Sequence, residues 1–599
     1  MSPAKTRDIF KHKKLVETRN PPTEVVKKGD GHYFVAFEKA AFGTIEVEIS
    51  ADAGGGVVNV HLGEALAGEH AVDRDPPGTI RYRETAIKLK QGRHKYMVEV
   101  PRAKHPYKNY GGAKVSMPDY IGEVVPFRYC ELLNCPSAIT KANIRQVMVH
   151  YPFDDDASEF KSSNDTLNQV WGLCKYSMKA TSFCGLYVDG DRERLPYEAD
   201  AYINQLGHYC VDSEYGMAHA TQQYFMRHPT WPTEWLLHCP LMAWAEYMYT
   251  GDIAFSREHY DDLKLRVLLD LARDDGLIST QTGLVTGELL SALHTKKIRD
   301  LVDWPPANFT RGKKYGERDG HDMRKINTVV NAFHYRALVV MGRIAEALGK
   351  DADARMFNTR ASKVRESFNR VLWHAGKGVY VDGEGSQHCS LHANMFPLAF
   401  GLVPEQRQAS VVKFVKSRGM ACSVYGAQYL LEALYKAGAD DHALGLMTAR
   451  GDRGWWNMIK VGSTVTLEAW DWKYKNNLDW NHAWGAAPAN IIPRYLMGIR
   501  PLRPGFEKVL VKPQPGGLKR ASLKIPTVRG AVYAEFDNGD SGSFRLKVRI
   551  PHGVTARVEL PMKDGKSTEV TVNGKKTQGQ ASGKFVAIEL EAGQWELAN

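Results

Sequence analysis

Hydrophobic and polar residues alternate with a period of two toward both ends of the chain. In the first part, Ile45, Val47 and Ile49 are separated by glutamates. After residue 503 the same alternation returns in the run Phe544, Leu546, Val548 and Ile550. A period of two is typical of strands that bury one face. The pattern therefore predicts an antiparallel β-sandwich domain at residues 31–155 and a second, smaller one at residues 503–599.

Between these parts the apolar period changes to that of a helix. Asn164 offers a helix N-cap, and the apolar face behind it consists of Leu167, Val170, Trp171, Cys174 and Met178. A second face consists of Val330, Phe333, Ala337, Val340, Met341, Ile344 and Leu348, with Gly349 as a stop. Similar helices recur to about residue 500. Paired helices over such a length fit a closed toroid of hairpins or an open solenoid, and periodicity does not distinguish the two.

The composition is that of a globular protein with several structural units. A chain of 599 residues is too long for one ordinary core, so we expect three or four units. No apolar run approaches the length of a membrane span. The N-terminus lacks an apolar signal core, so we expect a cytoplasmic protein, or a periplasmic or secreted one if a signal was removed before this numbering.

The cysteines and the absent motifs argue against bound cofactors. The eight cysteines show no Cys-x-x-Cys pair and lie in apolar surroundings, which favours buried free thiols over disulfides or zinc. We find no EF-hand loop and no Gly-rich phosphate loop, so we expect no metal, nucleotide or other cofactor.

The chain is basic, with 79 Lys and Arg against 68 Asp and Glu, a net charge of +11. Part of the excess lies in residues 1–30, which we predict to be a solvated basic arm. We find no nucleic-acid-binding motif to go with it, so no nucleic-acid partner is expected. A basic surface also suits an acidic substrate such as a uronate-bearing glycan.

Candidate chemistry is concentrated between Tyr187 and Asp200. This stretch contains five carboxylates, Asp189, Asp191, Glu193, Glu198 and Asp200, with Arg192 and Arg194 between them. Gly190 and Pro196 argue against one continuous helix. Crowded carboxylates push one another's pKa values apart, as acid–base catalysis requires. The alternative is a solvated acidic turn whose charges pair with the local arginines.

Aromatic residues point to a carbohydrate cleft. Twelve of the thirteen tryptophans lie between Trp171 and Trp484. Several are clustered in predicted loops, namely Trp455, Trp456, Trp470, Trp472, Trp480 and Trp484. Sugar rings present flat C–H faces that stack on aromatic rings, so we expect such a cluster to line a sugar-binding pocket.

Two acidic motifs resemble those of a known family. The first is Glu193-Arg194-Leu195 with Tyr197 and Asp200, and the second is the run 464–471 around Glu468, followed by Asn481-His482 and Gly498-Ile499-Arg500-Pro501. Weaker matches are Trp231 to Glu234 and Asp303-Trp304-Pro305. Together they resemble the bacterial α-L-rhamnosidase family of inverting glycoside hydrolases, the six-hairpin glycosidases. One departure is Asp191-Arg192, where the family has Arg-Asp.

This resemblance implies a fold and an activity. The implied fold is a central (α/α)6 helical toroid at residues 156–502, flanked by the N-terminal and C-terminal β-sandwich domains. The implied activity is exo-acting removal of terminal α-L-rhamnose from a glycan or glycoside. We expect no nucleic acid and no membrane as partners.

The resemblance also implies roles for particular residues. Glu193 would be the general acid and Glu468 the base that activates water, with their carboxyl groups about 6.5–9.5 Å apart as inversion requires. Asp189, Asp200, Glu234 and Asp303 would accept hydrogen bonds from sugar hydroxyls, and Tyr197, Trp231 and Trp304 would form apolar walls. His482 would be a substrate ligand, or else a core histidine held by the turn at Asn481.

Two other functions remain open. A polysaccharide lyase acting on a rhamnose- and uronate-containing glycan also suits a basic protein with a helical toroid and β domains. A non-catalytic glycan-binding relative would explain the altered segment Asp189 to Arg192 as a mark of lost activity.

Overall fold

A computed structural model describes residues 9–102, 115–306, 316–539, 543–562 and 567–599. The strands of the first part are β1 Val16–Asn20, β2 Pro22–Gly29, β3 His32–Ala51, β4 Val57–Gly63, β5 Leu66–Gly68, β6 Ala71–Val72, β7 Tyr82–Lys88, β8 Gly92–Met97, β9 Val125–Leu133 and β10 Ile144–His150. Eight of them form an antiparallel sheet in the order β1-β10-β3-β9-β4-β7, with β2 and β8 also paired to β3.

Strand β3 organises this sheet. Its first half pairs with β2 and its second half with β10 and β8, while β9 pairs along both halves across an irregularity between Ala36 and Ala41. The predicted alternation is confirmed here, because Ile45, Val47 and Ile49 are buried and the two glutamates between them are less so. The long strand therefore ties the two ends of the sheet together.

The prediction of a solvated basic arm is wrong for the described part of residues 1–30. Residues 16–29 are strands β1 and β2 of the first sheet, and their backbone groups pair with β10 and β3. Lys13 extends further and donates to Glu214 at 2.5 Å. The basic side chains mark solvated strand faces, not an unstructured segment. Residues 1–8 lie outside the described part of the chain.

Helices dominate the middle of the chain. They are α1 Asp165–Ala180, α2 Glu198–Val211, α3 Gly216–Arg227, α4 Thr233–Leu236, α5 His238–Thr250, α6 Ala254–Glu258, α7 Tyr260–Leu265, α8 Gly287–Ala292, α9 Thr328–Ala347, α10 Asp351–Val371, α11 Leu391–Phe400, α12 Glu405–Arg418, α13 Gly426–Lys436, α14 Asp440–Met447, α15 Trp455–Lys460 and α16 Pro488–Ile491. Short helical turns occur at Leu269–Leu271, Ala483–Gly485, Ile492–Leu496 and Pro504–Phe506.

The two helices that the pattern located most clearly are confirmed. Asn164 caps α1 by accepting from the Leu167 amide, and the predicted apolar face of α1 is buried. Helix α9 ends at Ala347, just before Gly349, which has a φ of +72°. Helix α9 packs against α10, α11 against α12 and α13, and α2 against α5 and α16. Within the described residues, no helix combines the length and apolarity that spanning a membrane demands.

The remaining strands lie around and after the helices. They are β11 Glu159–Ser162, β12 Trp373–His374, β13 Val379–Tyr380, β14 Ile499–Pro501, β15 Lys508–Val511, β16 Arg520–Ile525, β17 Val532–Asn538, β18 Phe544–Ile550, β19 Thr555–Pro561, β20 Glu569–Val572, β21 Lys575–Gln578, β22 Gln580–Ser582, β23 Phe585–Leu590 and β24 Gly593–Ala598. Two larger sheets result, ordered β11-β16-β17-β18-β24-β20-β21 and β14-β15-β19-β23-β22.

The C-terminal sheets begin inside the region predicted to be helical. Strand β11 precedes α1 in the chain, yet it pairs with β16, which lies more than 350 residues later. Strand β14 precedes residue 503 and pairs with β15. These pairings join the start and the end of the helical part to one C-terminal unit. All eight cysteines are free thiols, seven of them buried, as the sequence predicted.

Candidate active site

A cavity of about 200 Å³ opens where the loop before α2 meets the loop before α16. It is lined by eight of the ten residues predicted from the sequence, namely Asp189, Glu193, Tyr197, Asp200, Trp231, Trp304, Glu468 and His482. Arg192, Trp235, Leu301, Lys475, Asn477 and Trp484 complete the lining. The fold thus brings together two acidic motifs that are 275 positions apart in the sequence.

The acidic loop has a closed backbone. The Asp189 amide donates to the Leu195 carbonyl at 3.0 Å, and the Leu195 amide donates back to Asp189 Oδ1 at 3.0 Å. Gly190 adopts a φ of +112°, and a Cβ there would lie 2.8 Å from the Asn481 carbonyl oxygen. Only glycine fits both the conformation and the close approach.

Asp191 anchors this loop to two other parts of the fold. Its amide donates to Asn481 Oδ1 at 2.8 Å, and its carboxylate is paired with Arg194 at 2.7 Å and with Arg81 at 2.5 Å. Arg194 is almost fully buried. A solvated acidic turn is therefore the wrong reading of this loop, because its charges pair inside the protein.

Arg192 and Glu468 form a buried ion pair in the cavity. The two Nη atoms of Arg192 donate to the two carboxylate oxygens of Glu468 at 2.6 Å each, and Lys475 Nζ lies 2.8 Å from the same carboxylate. Burial alone would raise the pKa of Glu468, but the charges of Arg192 and Lys475 outweigh burial and hold that pKa far below its ordinary value. Glu468 is therefore ionised throughout the neutral range.

Glu193 lies on the other side of the same guanidinium group. Tyr197 donates to its carboxylate at 2.5 Å, and Arg192 Nη2 lies 3.4 Å from its Oε1. Because Nη2 is also 2.6 Å from Glu468 Oε1, these two oxygens are at most 6.0 Å apart, the sum of the two distances. This upper limit for one pair of oxygens is shorter than the predicted carboxyl separation of about 6.5–9.5 Å. The guanidinium draws both carboxylates toward itself.

Asp189 and Asp200 supply unoccupied acceptor oxygens. Burial and the nearby charge of Glu193 raise the pKa of Asp189 well above its ordinary value. Burial also raises the pKa of Asp200, against the effect of His482. Among the described residues, the Oδ2 atoms of both aspartates have no hydrogen-bond partner. Such atoms can accept hydrogen bonds from the hydroxyls of a ligand.

His482 is a cation held between two carboxylates. Its Nε2 lies 2.7 Å from Asp200 Oδ1 and its Nδ1 lies 3.6 Å from Asp479 Oδ1. Burial favours the neutral ring, but the hydrogen bonds and charges of Asp200 and Asp479 raise the pKa of His482 to about 10. Its edge lines the cavity. His482 is thus both anchored in the core and available to a ligand.

Glu234 and Asp303 do not line the cavity, which corrects the prediction that they bind sugar hydroxyls. Glu234 accepts from the Leu301 and Val302 amides, and burial and the charge of Asp300 raise its pKa to about 8. Asp303 accepts from His392 at 2.6 Å and from Ser423. Both carboxylates point away from the cavity because they accept hydrogen bonds from buried donors. They hold the loop that carries Trp304 into the cavity.

The tryptophan cluster is divided between core and cavity. Trp484 lines the cavity, as do Trp231 and Trp304. Trp455 and Trp470 are instead fully buried, with their rings packed edge to face, and Trp472 is 52% exposed. Trp455 also lies in helix α15, not in a loop. Trp456 and Trp480 do not line the cavity either, so the expectation of a pocket lined by the whole cluster is wrong for five of its six tryptophans.

The first sheet contributes residues that sequence reasoning missed. Glu64 accepts from the Arg81 amide at 2.7 Å and from Asn481 Nδ2 at 3.1 Å, and the Thr79 amide donates to the Leu478 carbonyl at 2.9 Å. These contacts fix the loop between Glu468 and His482. No local pattern around residues 64–81 signals this role, because it depends on partners about 400 residues away.

Three residues lie close enough together to bind a metal ion, but their ligand atoms are protonated or paired with cationic side chains. Ligand atoms of Glu468, Asp479 and His482 lie within 4.8 Å of one another. The nitrogens of His482 are protonated at neutral pH and face carboxylates, and Glu468 is neutralised by Arg192 and Lys475. A metal needs a free imidazole lone pair and excess negative charge, so these residues do not fit one.

His388 and His392 have the His-x-x-x-His spacing that is common in metal sites, and sequence reasoning missed this pair. The two histidines bind different aspartates, Asp382 and Asp303. They therefore do not converge on one ion.

The fold and the cavity define the class as a multidomain α and β protein with an acidic, aromatic-lined cavity. The model of the bacterial alpha-L-rhamnosidase 6 hairpin glycosidase domain matches residues 155–496, and that of the bacterial alpha-L-rhamnosidase C-terminal domain matches residues 498–575. The first match covers more than half of the chain. The chain belongs to the bacterial α-L-rhamnosidase six-hairpin glycosidase family.

Curated relatives and solved structures agree with this assignment. An alpha-L-rhamnosidase of Formosa agariphila is 23% identical over 495 residues, 75% of this chain and 49% of the relative, and one of Alteromonas sp. is 22% identical over 74% of this chain and 50% of the relative. The chain thus spans about half the length of these curated relatives.

Two rhamnosidase structures share the fold. That of Dictyoglumus thermophilum has a TM-score of 0.76 at 19% identity, covering 97% of this chain and 63% of that one. That of Streptomyces avermitilis complexed with L-rhamnose has a TM-score of 0.72 at 18% identity, covering 97% and 53%.

Proposed function

We propose that this protein is an exo-acting glycoside hydrolase that removes terminal α-L-rhamnose with inversion of configuration. The observation that carries the proposal is the meeting of Glu193 and Glu468, from two separate family motifs, on either side of Arg192 in an aromatic-lined cavity. Hydrolysis of a glycosidic bond needs two carboxyl groups across that bond. The names of the curated relatives support rhamnose as the sugar.

The finer architecture belongs to the same proposal. The helix pairs α9–α10 and α11–α12, together with the packing of α2 on α5 and α16, support a closed six-hairpin toroid with β-sandwich domains at both ends. A toroid of this kind places its cavity where the loops between helices converge. The small cavity volume suits a single terminal ring, which supports exo action.

In the acid half of the reaction, Glu193 protonates the departing oxygen. Asp189 lies beside it, and burial and the charge of Glu193 raise the pKa of the Asp189 carboxyl well above its ordinary value. One protonated and one ionised carboxyl is the pattern that acid catalysis at neutral pH requires. Asp189 and Glu193 therefore share one proton, and Glu193 delivers it to the departing oxygen.

In the base half, Glu468 takes a proton from the attacking water. Its ionised state is secured by Arg192 and Lys475, but the same cations weaken its affinity for a proton. Substrate binding must therefore loosen the Arg192–Glu468 pair. We expect Arg192 to turn toward a sugar hydroxyl and so to leave room for water between the two carboxylates.

Substrate binding uses the remaining lining. The free Oδ2 atom of Asp200 accepts from a hydroxyl group, and the Oδ2 atom of Asp189 donates to one when Asp189 carries the proton. Trp231, Trp304 and Tyr197 contact the ring faces and the methyl group of rhamnose. The net charge of +11 favours glycans that also carry uronates.

A second candidate function is non-catalytic binding of rhamnose-terminated glycans. The observation that favours it is the bidentate Arg192–Glu468 pair, which neutralises the base. Arg192 belongs to the dipeptide Asp191-Arg192 that departs from the family pattern. If the pair stays closed on the bound sugar, the site can recognise rhamnose without activating water.

Sugar release separates the two candidates. The full chain is incubated with p-nitrophenyl α-L-rhamnoside and with rhamnose-bearing oligosaccharides, with and without uronates, and free rhamnose is measured. The double variant Glu193→Gln, Glu468→Gln controls for contaminating activity. Release by the wild-type protein alone supports the hydrolase, binding without release supports the second candidate, and neither release nor binding contradicts both.

A further inference from the structure

A second cavity, of about 590 Å³, lies further along the helices that carry the first. Helix α2 contributes Asp200 to the candidate active site and Tyr202 to the second cavity. Two aromatic rings separate the cavities, because Tyr425 stacks on Trp484 at 5.8 Å and contacts Tyr429, which lines the second cavity, at 5.4 Å. The second cavity is therefore a distinct space.

The second cavity is strongly basic. Its lining includes five basic residues, Arg336, Arg343, Lys436, Arg494 and Arg500, and one carboxylate, that of Glu432. Both carboxylate oxygens of Glu432 are paired within the protein, since Lys436 donates to one and Arg494 donates to the other, each at 3.0 Å. Cations at helix ends often compensate the helix dipole, and Lys436 does so by donating to the Ala399 carbonyl at the end of α11. Two of the five cations are thus explained by the fold.

The other three are not paired with any carboxylate that the structure describes, although the Arg500 guanidinium lies 5.0 Å from the centre of the Tyr495 ring. Within the described residues, no carboxylate lies within 4.0 Å of the guanidinium groups of Arg336, Arg343 or Arg500. Arg336 is near the middle of the 20-residue helix α9 and Arg500 is on strand β14, so neither caps a helix. Burial and the positive charge of Arg336 lower the pKa of Arg343, so these two groups repel each other. The charge of Glu346 offsets this repulsion only in part, since the pKa of Arg343 stays lowered, and an anion between the two cations would relieve the rest.

The wall beside these cations is aromatic. Trp244 is half-buried on α5 and its ring lies 6.0 Å from the Arg343 guanidinium. Tyr202 is also half-buried and faces the same space. A partly exposed aromatic face beside the Arg343 guanidinium, with Arg336 lining the same cavity, suits a ring that carries a negative charge. The volume is within the range of small-ligand pockets.

We propose that this cavity is a second binding site, for a carboxylate borne on a six-membered ring. Arg336 and Arg343 hold the carboxylate and Trp244 contacts the ring. Sugar acids and aromatic acids share this chemistry. The site does not depend on whether the candidate active site turns over a substrate.

Calorimetric titration of the full chain tests the proposal. The probes are D-glucuronate and benzoate as the two ring carboxylates, D-glucose as the neutral ring and inorganic sulfate as the anion without a ring. We expect one of the ring carboxylates to bind, and the tighter of the two identifies a sugar acid or an aromatic acid. Glucose should not bind, and sulfate should bind at least about 10-fold more weakly.

Matched variants locate the binding. Arg336→Gln and Arg343→Gln should each weaken it by about 10-fold or more, as loss of a charge-assisted hydrogen bond does. Arg355→Gln, an exposed arginine on α10, and Glu193→Gln in the first cavity should leave it unchanged. Arg343 is exposed, so its variant should fold even if that of Arg336 does not. No binding of either acid, unchanged binding in Arg343→Gln, equal binding of sulfate, or loss in Glu193→Gln would each overturn the proposal.

Discussion

Arg192 is the residue on which the electrostatics of the candidate active site depend. It contacts Glu468 through both Nη atoms and Glu193 at a longer distance, so one cation touches both proposed catalytic carboxylates. An arginine close to a carboxyl group favours its ionised form, which opposes the role of a general acid. Only Arg192 is in a position to do so, because Arg194 pairs with Asp191 and Glu123 instead.

The leaving group tests the role of Glu193. A general acid matters most when the departing oxygen is a poor leaving group, so Glu193→Gln should slow cleavage of a natural sugar–sugar bond by about 10²–10⁴-fold. It should spare p-nitrophenyl rhamnoside much more, since nitrophenolate leaves without a proton. Steady-state kinetics on both substrates give the comparison. Equal losses would show that Glu193 only binds the sugar, and Asp189→Asn measured in parallel would then identify the acid.

The pH profile tests the pairing of Arg192 with Glu468. Arg192 and Lys475 lower the pKa of Glu468 against the effect of burial, and the base must be ionised to act. Removing Arg192 raises the pKa of Glu468. When the pH is lowered, the Arg192→Gln variant should therefore lose activity at a higher pH than the wild type does. The acid limb of kcat/KM between pH 3 and 8 is the measurement. Arg324→Gln, an exposed arginine paired with Asp322, is the control, and an unmoved limb would separate Arg192 from the base.

At the scale of elements, helices were predictable and the direction of loop side chains was not. The cap at Asn164 and the face of α1 follow from local spacing. Trp231 and Glu234 were predicted as neighbours in the site, but a helical turn separates them, so the tryptophan lines the cavity while the carboxylate points behind it. The sequence shows that a carboxylate is present. It does not show which buried amides donate hydrogen bonds to that carboxylate, because those amides come from another part of the chain.

Glu234 makes a prediction about stability. Burial and Asp300 raise its pKa to about 8, so the folded protein retains this proton while the unfolded chain loses it near the ordinary value of 4.5. Between those values the folded state binds more protons, so the stability of the wild type falls as pH rises. Glu234→Gln lacks this loss. The free energy of unfolding of Glu234→Gln, relative to that of the wild type, should therefore increase with pH in this window by at most about 1.4 kcal/mol per pH unit. Outside the window this difference should stay constant.

Chemical denaturation at pH 4 to 9 measures the Glu234 effect. Gln222→Ala, a buried amide substitution outside the loop at residues 301–304, controls for general effects of a core change. A difference between wild type and Glu234→Gln that does not vary with pH would mean that Glu234 is ionised in the folded protein.

At the scale of the whole molecule, the three-part order of the chain was predictable, but the way the parts interlock was not. Alternation and helical periodicity predict β, α and β regions in the order that the described residues show, but strands β11 and β14 lie inside the range predicted to be helical. The contacts of Glu64 and Arg81 with the loops of the cavity, and the pairing of β11 with β16, join residues hundreds of positions apart. Local patterns contain no information about such partners. For the same reason residues 16–29 were mistaken for a solvated arm.

This interlocking predicts that the helical part does not function alone. Residues 155–496 produced by themselves lack Arg81, which pairs with Asp191, and leave β11 without β16. We expect this segment to aggregate or to lack rhamnoside binding, whereas the full chain is monodisperse under the same conditions. Size-exclusion chromatography with a binding assay decides the matter. A monodisperse segment that binds as tightly as the full chain would show that the sheets do not support the site.

The central claim is that Glu193 and Glu468 hydrolyse an α-L-rhamnoside with inversion, and the anomer released first tests it most directly. Proton NMR spectra are recorded within the first minutes of p-nitrophenyl α-L-rhamnoside hydrolysis, before mutarotation. The account predicts that β-L-rhamnose appears first. It also predicts that Glu468→Gln lowers the rate of this release by at least about 100-fold. Initial release of α-L-rhamnose would contradict inversion, and no release at all from a protein that binds rhamnose would contradict the hydrolase.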